Sequence, residues 1–387
     1  MNTKERFSKA LNRKKPDRLP VTTHHLMPYF LNKYYNGISN HEFFKITGMD
    51  PIEWIITNKP DVTKGDYYDP THTETGFLEA FRISNENWKF KEELISEDKF
   101  GAIKRFKIIT PKKELSMVLK TDIQSTWVLE HLIKEKNDID IIAKYMTQPL
   151  CDVDFINNKA KAAGDNSLIR GHVICFDGFG QPGTWQDASC LYGIQNLIME
   201  TFNDPEWVQL LLEILNERKI TFVRSLKGAD YDILELGGGD ASTTVISPDI
   251  FESFVAPYDS KIIEEAHLAG QRISYHTCGG MMPILEQIAE MNPDAMETFT
   301  PIGMGGDVNL AEAKNRIGDK VCIIGGFDQY KFFNDNTPEN TRREVRRCFK
   351  EAGSDGGFIL APSDHFFDAD LELIKAFVDE AKKCVYS

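Results

Sequence analysis

The chain has 387 residues, 41% of them hydrophobic, with a formal net charge of −14 and a pI of about 5.2. This acidity argues against nucleic acid as a partner, because proteins that bind nucleic acid present a basic face. No apolar run reaches the ~18 residues that a membrane span needs, and the polar N-terminus lacks the apolar stretch of a signal peptide. We therefore expect a cytoplasmic globular protein that has neither a nucleic-acid nor a membrane partner.

Apolar, β-branched runs flanked by turn residues recur along the chain, with amphipathic stretches between them. The first predicted strand is RLPVTT at residues 18–23. Later runs predict strands at residues 167–175, 231–239, 271–279, 294–301, 320–328 and 357–362. Helical periodicity separates these runs, for example at residues 205–226 and at residues 247–270, where Ser247 before Pro248 is typical of a helix start.

Strands that alternate with helices predict a parallel sheet. With seven candidate strands and no visible domain break, we predict an α/β fold, namely a single (β/α)₈ TIM barrel over residues 1–387 with N-terminal helices. The eighth strand is not identifiable from the sequence. Residues 63–126 depart from the alternation, since short β-prone pieces (TGFLEAFRI, GAIKRFKIIT and LSMVLKT) predict inserted antiparallel hairpins.

The stretch SYHTCGG, residues 274–280, places His276 and Cys278 two positions apart at a predicted strand end. Residues i and i+2 of a strand point to one face, and imidazole with thiolate is a donor pair that zinc favours. Alternatively, His276 is a hydrogen-bonded interior histidine and Cys278 a small apolar residue. Further zinc ligands must come from other strand ends, where Glu297, Asp364 and His365 are the candidates.

Other polar residues also follow predicted strands, where a (β/α)₈ barrel assembles its active site. Asp177 and Asp240 each follow such a strand, and His24 with His25 follows the first one. Neither GxGxxG nor GxxxxGK[ST] occurs at a suitable place, so the sequence gives no sign of a dinucleotide or nucleotide site. The seven cysteines include no CxxC pair, and we expect them to be mostly reduced.

Longer stretches are more specific than these short motifs. They are RLPV, GGGDASTTVISPDIFESFVAPYDSKII, HTCGGMMPILEQIAEMNPDAMETF, GDVNLAEAKNRIGDKVCIIGGFDQ and GGFILAPSDHFF. Through them the chain resembles the uroporphyrinogen decarboxylase superfamily. The metal-free decarboxylases of that superfamily typically carry an arginine-rich RQAGR element after the first strand. This chain has TTHHLMPYF there and no arginine between Arg18 and Arg82, which argues against a porphyrinogen substrate whose carboxylates would be buried unpaired.

The resemblance therefore implies the second branch of the superfamily, the zinc-dependent methyltransferases of corrinoid systems. Thiol-methylating members typically use HxC plus a later cysteine, and His276 and Cys278 match the first part. Glu297 lies near the position of a glutamate in the similar barrel of cobalamin-independent methionine synthase. The later cysteine is absent, and the resemblance places the remaining ligand at His365, next to Asp364.

The function that the resemblance implies is transfer of a methyl group from a methoxylated, aromatic donor to the Co(I) corrinoid of a partner protein. The implied partners are this corrinoid protein and the small-molecule donor, and a homodimer is left open. The residues expected to contact the donor are His24, Phe176, Phe179, Trp185, Tyr275 and Phe366. The candidate acids for the leaving oxygen are Asp177, Asp240 and Asp364. A thiol methyltransferase, a metal-free lyase and a non-catalytic corrinoid- or tetrapyrrole-binding protein remain as alternatives.

Overall fold

A computed structural model describes residues 1–69, 83–176 and 181–386. Its strands are β1 (Ile52–Trp54), β2 (Lys59–Pro60), β3 (Tyr67–Tyr68), β4 (Ile83–Ser84), β5 (Lys89–Asp98), β6 (Gly101–Ile109), β7 (Glu114–Asp122), β8 (Thr126–Glu130), β9 (Pro149–Leu150), β10 (Leu168–His172), β11 (Ile233–Gly237), β12 (Ile273–His276), β13 (Ala295–Thr298), β14 (Cys322–Phe327) and β15 (Phe358–Pro362). Its helices are α1 (Thr3–Leu11), α2 (Pro28–Tyr35), α3 (Asn40–Thr47), α4 (Asp138–Tyr145), α5 (Val153–Ala163), α6 (Thr184–Tyr192), α7 (Ile194–Asn203), α8 (Pro205–Arg224), α9 (Pro248–Phe254), α10 (Ala256–Leu268), α11 (Leu285–Glu290), α12 (Leu310–Ile317), α13 (Gln329–Phe332), α14 (Pro338–Cys348) and α15 (Leu371–Lys383).

The centre of the molecule is a curled parallel sheet of seven strands in the order β1-β10-β11-β12-β13-β14-β15. The segment at Val21 forms a parallel bridge with Leu360 of β15, and the backbone N–H of Asp50 donates to the Val21 carbonyl at 2.7 Å. This segment therefore lies between the last strand and the chain entering β1, which is the eighth position of a barrel. The predicted α/β fold of the TIM-barrel type is confirmed.

The six later predicted strands are confirmed as β10 to β15, whereas RLPVTT forms two isolated bridges, Arg18 with Val385 and Val21 with Leu360, and no extended strand. The strand that the sequence did not identify is β1, which has only three residues. Ser247 caps α9 by accepting a hydrogen bond from the Ile250 backbone N–H, as its position before Pro248 predicted. The helical stretch that follows is divided into α9 and α10 close to Pro257, which has no N–H for a helical hydrogen bond.

Strands β5 to β8 form a separate antiparallel sheet in the region where the sequence predicted inserted hairpins, although β8 begins at the predicted end, residue 126, and extends to residue 130. One face of this sheet is apolar, and Phe90, Phe106 and Met117 on it are at most 5% exposed. Most of the predicted β piece TGFLEAFRI lies outside the described residues. Among the helices that the structure describes, none combines the length and the apolar character of a membrane-crossing segment.

Candidate functional site

Four neighbouring strands of the parallel sheet carry charged or ionisable side chains into the barrel. His276 is the last residue of β12, and Glu297 of β13 is its direct register partner. Glu235 lies on β11 and Arg170 on β10, and all four side chains are at most 4% exposed. Parallel register brings them together because each strand ends at the same edge of the sheet.

Two imidazoles and two carboxylates form the carboxylate–imidazole cluster, defined as His24, Glu235, His276 and Glu297. One ligand atom from each lies within 4.8 Å of the others. Nδ1 of His276 is 3.1 Å from Oε1 of Glu297, and Nε2 of His24 is 3.3 Å from Oε2 of Glu235. His24 follows the Val21 bridge, so the closing segment of the barrel supplies one member of the cluster.

Arg170 forms ion pairs with both carboxylates of the cluster, Glu235 and Glu297. One terminal nitrogen of its guanidinium donates to Oε2 of Glu235 at 2.8 Å and also to Oε1 of Glu297. The guanidinium carbon lies 4.4 Å from the centre of the Trp54 ring, a cation–π contact that fixes its plane. Two anions with one permanent cation leave the site with a net negative charge before the imidazoles are counted.

Opposite charges in and beside the cluster stabilise each other's ionised forms. Burial opposes ionisation of Glu297, but Arg170 and the two imidazoles hold the pKa of Glu297 well below its ordinary value. Burial likewise opposes ionisation of Glu235, and the charge of His276 lowers the pKa of Glu235. Burial opposes the charged form of His276, yet Glu235, Cys278 and Glu297 raise its pKa well above the ordinary value. A metal cation must therefore displace a proton from His276 to bind it.

Cys278 lies two residues beyond His276 and is half-buried, close enough to interact with that imidazole. A side chain at Gly239 would place a Cβ only 2.8 Å from the Cys278 sulfur. Gly237 has a φ of +106°, and a Cβ there would lie 2.2 Å from the His276 carbonyl oxygen. The glycines at the end of β11 and directly after it thus let the chain approach the end of β12, where the thiol lies.

Unsatisfied polar atoms in the cluster fit a cationic ligand. Among the described residues, both ring nitrogens of His24 and Oε2 of Glu297 are buried and have no hydrogen-bond partner. Leaving such an atom unpaired costs about 1–3 kcal/mol, so a bound metal would remove a penalty that the protein alone carries. The nitrogen and oxygen donors, with one thiol nearby, are types that zinc accepts.

Asp364 and His365 form a pair at the end of β15, outside the carboxylate–imidazole cluster. Oδ1 of Asp364 is 2.9 Å from Nδ1 of His365, and the His365 side chain is 37% exposed. Burial opposes ionisation of Asp364, but His365, together with His276 and His24, lowers its pKa. His365 also borders a cavity of about 860 Å³ whose aromatic lining comprises Tyr330, Phe332, Phe366 and Phe367.

Asp240 follows β11, and its side chain is tied to α6. Its Oδ2 accepts hydrogen bonds from Nε2 of Gln186 at 3.2 Å and from the hydroxyl of Ser189. The indole N–H of Trp185 donates to the Asp240 backbone carbonyl at 3.1 Å. These bonds hold the loop after β11 in place, and the predicted role of Asp240 as an acid stays a prediction.

Of the aromatic residues that the sequence proposed for the donor, the four that the structure describes are enclosed by protein. Phe176, Trp185, Tyr275 and Phe366 are at most 6% exposed. Tyr275 lies on the helical side of β12, opposite His276, because successive strand residues alternate in direction, and its hydroxyl donates to Asp259 at 3.0 Å. Asp177 and Phe179 lie outside the described residues. The substrate roles of these residues stay predictions.

The sequence analysis missed Arg170 and Glu235. Both stand within strands that are otherwise buried and apolar, LIRGH and ILELG. A charged residue at a fully buried strand position is rare unless it has a partner, so these interruptions were a usable signal. Their mutual contact, however, depends on the register of β10 and β11 and could not be derived from either strand alone.

Comparison with known proteins places the chain among related barrels. It is 29% identical to a uroporphyrinogen decarboxylase of Psychromonas ingrahamii over 65% of this chain and 69% of that protein. It is 22% identical to the methylated-thiol–coenzyme M methyltransferase of Methanosarcina mazei over 51% of this chain and 50% of that protein.

A solved structure of a methyltransferase from Methanosarcina mazei has the same fold, with a TM-score of 0.65 at 15% identity, covering 99% of both chains. The family model described as Uroporphyrinogen decarboxylase (URO-D) matches residues 178–384, more than half of the chain. This span contains β11 to β15, and with them three of the four residues of the carboxylate–imidazole cluster. The chain belongs to the uroporphyrinogen decarboxylase (URO-D) family.

Proposed function

We propose that this protein is a zinc-dependent methyltransferase that transfers a methyl group from a methoxylated, aromatic donor to the Co(I) corrinoid of a partner protein. The observation that carries the proposal is the junction of β12 and β13, where His276 lies 3.1 Å from Glu297 and two residues before Cys278. The similarity to a methylated-thiol–coenzyme M methyltransferase supports methyl transfer as the reaction class.

His276, Cys278 and Glu297 would hold the zinc at the carboxyl ends of the strands. Zinc bound there would act as a Lewis acid that stabilises negative charge developing on the ether oxygen. Arg170 keeps the two glutamates ionised, which preserves their capacity to bind a cation. A site with one thiolate and otherwise nitrogen and oxygen donors favours a hard oxygen donor over a soft thiol.

The pair of Asp364 and His365 would supply the proton for the leaving oxygen. Because the pKa of Asp364 is lowered, its carboxylate holds no proton at neutral pH. Its 2.9 Å contact with Nδ1 of His365 instead orients the imidazole, which becomes the proton donor of the pair. The aromatic cavity beside His365 offers a place for the ring of the donor.

Two observations support methyl transfer over porphyrinogen decarboxylation. Arg170, the cation that contacts the cluster, is already bound to Glu235 and Glu297. Arg6 and Arg18, near the start of the chain, both pair with Asp50 at 2.8 and 2.7 Å. Cations that are neutralised by the protein's own carboxylates are poorly placed to hold the carboxylates of a porphyrinogen.

To test the proposal, the zinc-loaded protein is incubated with free cob(I)alamin and one methyl donor at a time, taken from methoxyarenes, methylamines and methylthiols. Formation of methylcobalamin is followed by its visible absorption, and uroporphyrinogen is supplied in a parallel assay. We expect turnover with methoxyarenes and none with uroporphyrinogen. Activity confined to methylthiols would favour a thiol methyltransferase, and uroporphyrinogen turnover of ~1 per second would establish the decarboxylase; either result overturns the proposal. So would the absence of methylcobalamin with every donor.

A further inference from the structure

His24 lies in the carboxylate–imidazole cluster, where its Nε2 makes ion-pair contacts but neither ring nitrogen makes a hydrogen bond. Its side chain is only 8% exposed, and neither Nδ1 nor Nε2 has a hydrogen-bond partner. Nε2 lies 3.3 Å from Glu235 and 3.5 Å from Glu297, and the ring centre is 5.2 Å from that of His276. A buried imidazole among two carboxylates and a second imidazole has the surroundings of a metal ligand.

His25, the next residue, has a different environment. Its ring stacks on Trp54 with the ring centres 3.9 Å apart and the planes inclined by 24°. It does not belong to the cluster of potential ligands, although it touches the His24 ring with the centres 4.5 Å apart. His25 therefore has the packing role of an aromatic residue, and it provides a matched control for His24.

His365 is the histidine that the sequence resemblance proposed as a zinc ligand. It is paired with Asp364, its side chain is 37% exposed, and it is not a member of the carboxylate–imidazole cluster. The cluster draws its imidazoles from distant parts of the chain, one from the closing segment and one from β12. Within the described part of the chain, the cluster already contains two nitrogen ligands without His365.

We propose that His24 is a ligand of the metal at this site, together with His276, Cys278 and Glu297, in the position that the sequence resemblance gave to His365. The inference rests on the proposed metal dependence and deepens it by assigning a ligand. It gives the barrel-closing segment a specific task, because a metal bound by His24 would tie the N-terminal segment to β12 and β13. His365 remains available as the proton donor.

The first experiment compares zinc affinity in His24→Gln, His25→Gln and His365→Gln by competition with a chromogenic chelator, with metal content measured by elemental analysis. We expect His24→Gln to lose more than about 100-fold in affinity, beyond the roughly 10–100-fold loss typical of an outer-shell partner. His25→Gln and His365→Gln should keep the affinity of the unmodified protein. Undiminished affinity in His24→Gln, a comparable loss only in His365→Gln, or no zinc binding by the unmodified protein would overturn the inference.

A second variant covers the case in which His24→Gln fails to fold. His24→Cys offers a thiolate at the same position, so the cobalt(II)-loaded variant should gain sulfur-to-cobalt charge-transfer absorption relative to the unmodified protein. His25→Cys, which alters the neighbouring ring, should leave that absorption unchanged. An identical cobalt spectrum in His24→Cys and the unmodified protein would show that residue 24 does not reach the metal.

These measurements separate the inference from the proposed function. Zinc that depends on His24 in a protein without methyl transfer to cob(I)alamin would support the ligand assignment and overturn the function. Methyl transfer by a protein whose zinc binding depends on His365 and not on His24 would support the function and overturn the ligand assignment. Metal content and cobalt absorption need neither a donor nor a corrinoid, so the two conclusions do not share a readout.

Discussion

Asp259 gives a prediction that links a buried carboxyl group to the pH dependence of stability. It lies on α10 with 1% exposure, behind β12, where its carboxylate accepts hydrogen bonds from the Tyr275 hydroxyl at 3.0 Å and the Thr184 backbone N–H at 3.3 Å. Burial raises the pKa of Asp259 to about 6, against the 3.8 of a free side chain, and the two hydrogen bonds reverse only part of that shift. The change is Asp259→Asn.

The magnitude follows from the difference between the two pKa values. Between pH 3.8 and about 6 the unfolded chain releases the proton of Asp259 while the folded protein retains it. The free energy of unfolding therefore falls as the pH rises through this window. A shift from 3.8 to about 6, at 1.36 kcal/mol per pH unit, amounts to about 3 kcal/mol that is lost above pH 6. Asparagine does not titrate, so Asp259→Asn escapes this loss.

Urea unfolding of both proteins, followed by far-ultraviolet circular dichroism after chelator treatment, measures the difference. We expect the free energy of unfolding of Asp259→Asn minus that of the unmodified protein to rise by about 2 kcal/mol from pH 4 to pH 7, because roughly half a kcal/mol of the total is already lost at pH 4. The absolute offset between the proteins also contains the altered hydrogen bonds, so the change with pH is the decisive quantity. Treatment with chelator keeps pH-dependent metal binding from entering the comparison.

Asp17→Asn serves as a control of opposite sign. Burial opposes ionisation of Asp17, but Arg6, whose Nε lies 2.8 Å away, lowers its pKa to about 2. Its stabilising contribution is therefore present above pH 3.8 and is lost as the pH falls towards 2. The free energy of unfolding of Asp259→Asn minus that of the unmodified protein could instead be independent of pH or fall with rising pH. Either result would refute the conclusion that burial raises the pKa of Asp259.

Three further predictions concern the candidate site. Arg170→Gln leaves the ionised Glu235 and Glu297 without their cation, so the free energy of unfolding measured in urea should fall by about 3–5 kcal/mol. An unchanged free energy of unfolding would contradict a stabilising role of this ion pair. His276→Ala and Cys278→Ala should each empty the zinc site, because the loss of one ligand breaks the coordination shell; stoichiometric zinc in both, by elemental analysis, would exclude them as ligands. His365→Gln should lower the rate of methyl transfer about 10²–10⁴-fold while zinc stays bound, as expected for a lost proton donor, and full activity would assign the proton to another group.

The order of strands and helices in the second half of the chain followed from the sequence, because apolar runs and helical periodicity are local properties. The same locality explains why His276, Cys278 and Glu297 could be proposed from the sequence as candidates for one site. Parallel strands end at one edge of a sheet, so polar residues at those ends are neighbours whenever the strands pair in chain order. Here β12 and β13 do pair in that order, and His276 and Glu297 are register partners.

The tertiary structure decided the features that depend on which distant segments meet. β1 is only three residues long and carries no local pattern that distinguishes it, and it is recognisable as a strand only beside β10. Arg170 and Glu235 form an ion pair because the register between β10 and β11 places their side chains on the same face of the sheet. His24 joins β12 and β13 only because the Val21 segment closes the barrel against β15. Sequence periodicity determines which face a side chain occupies, whereas packing of the closed barrel determines what lies opposite that side chain.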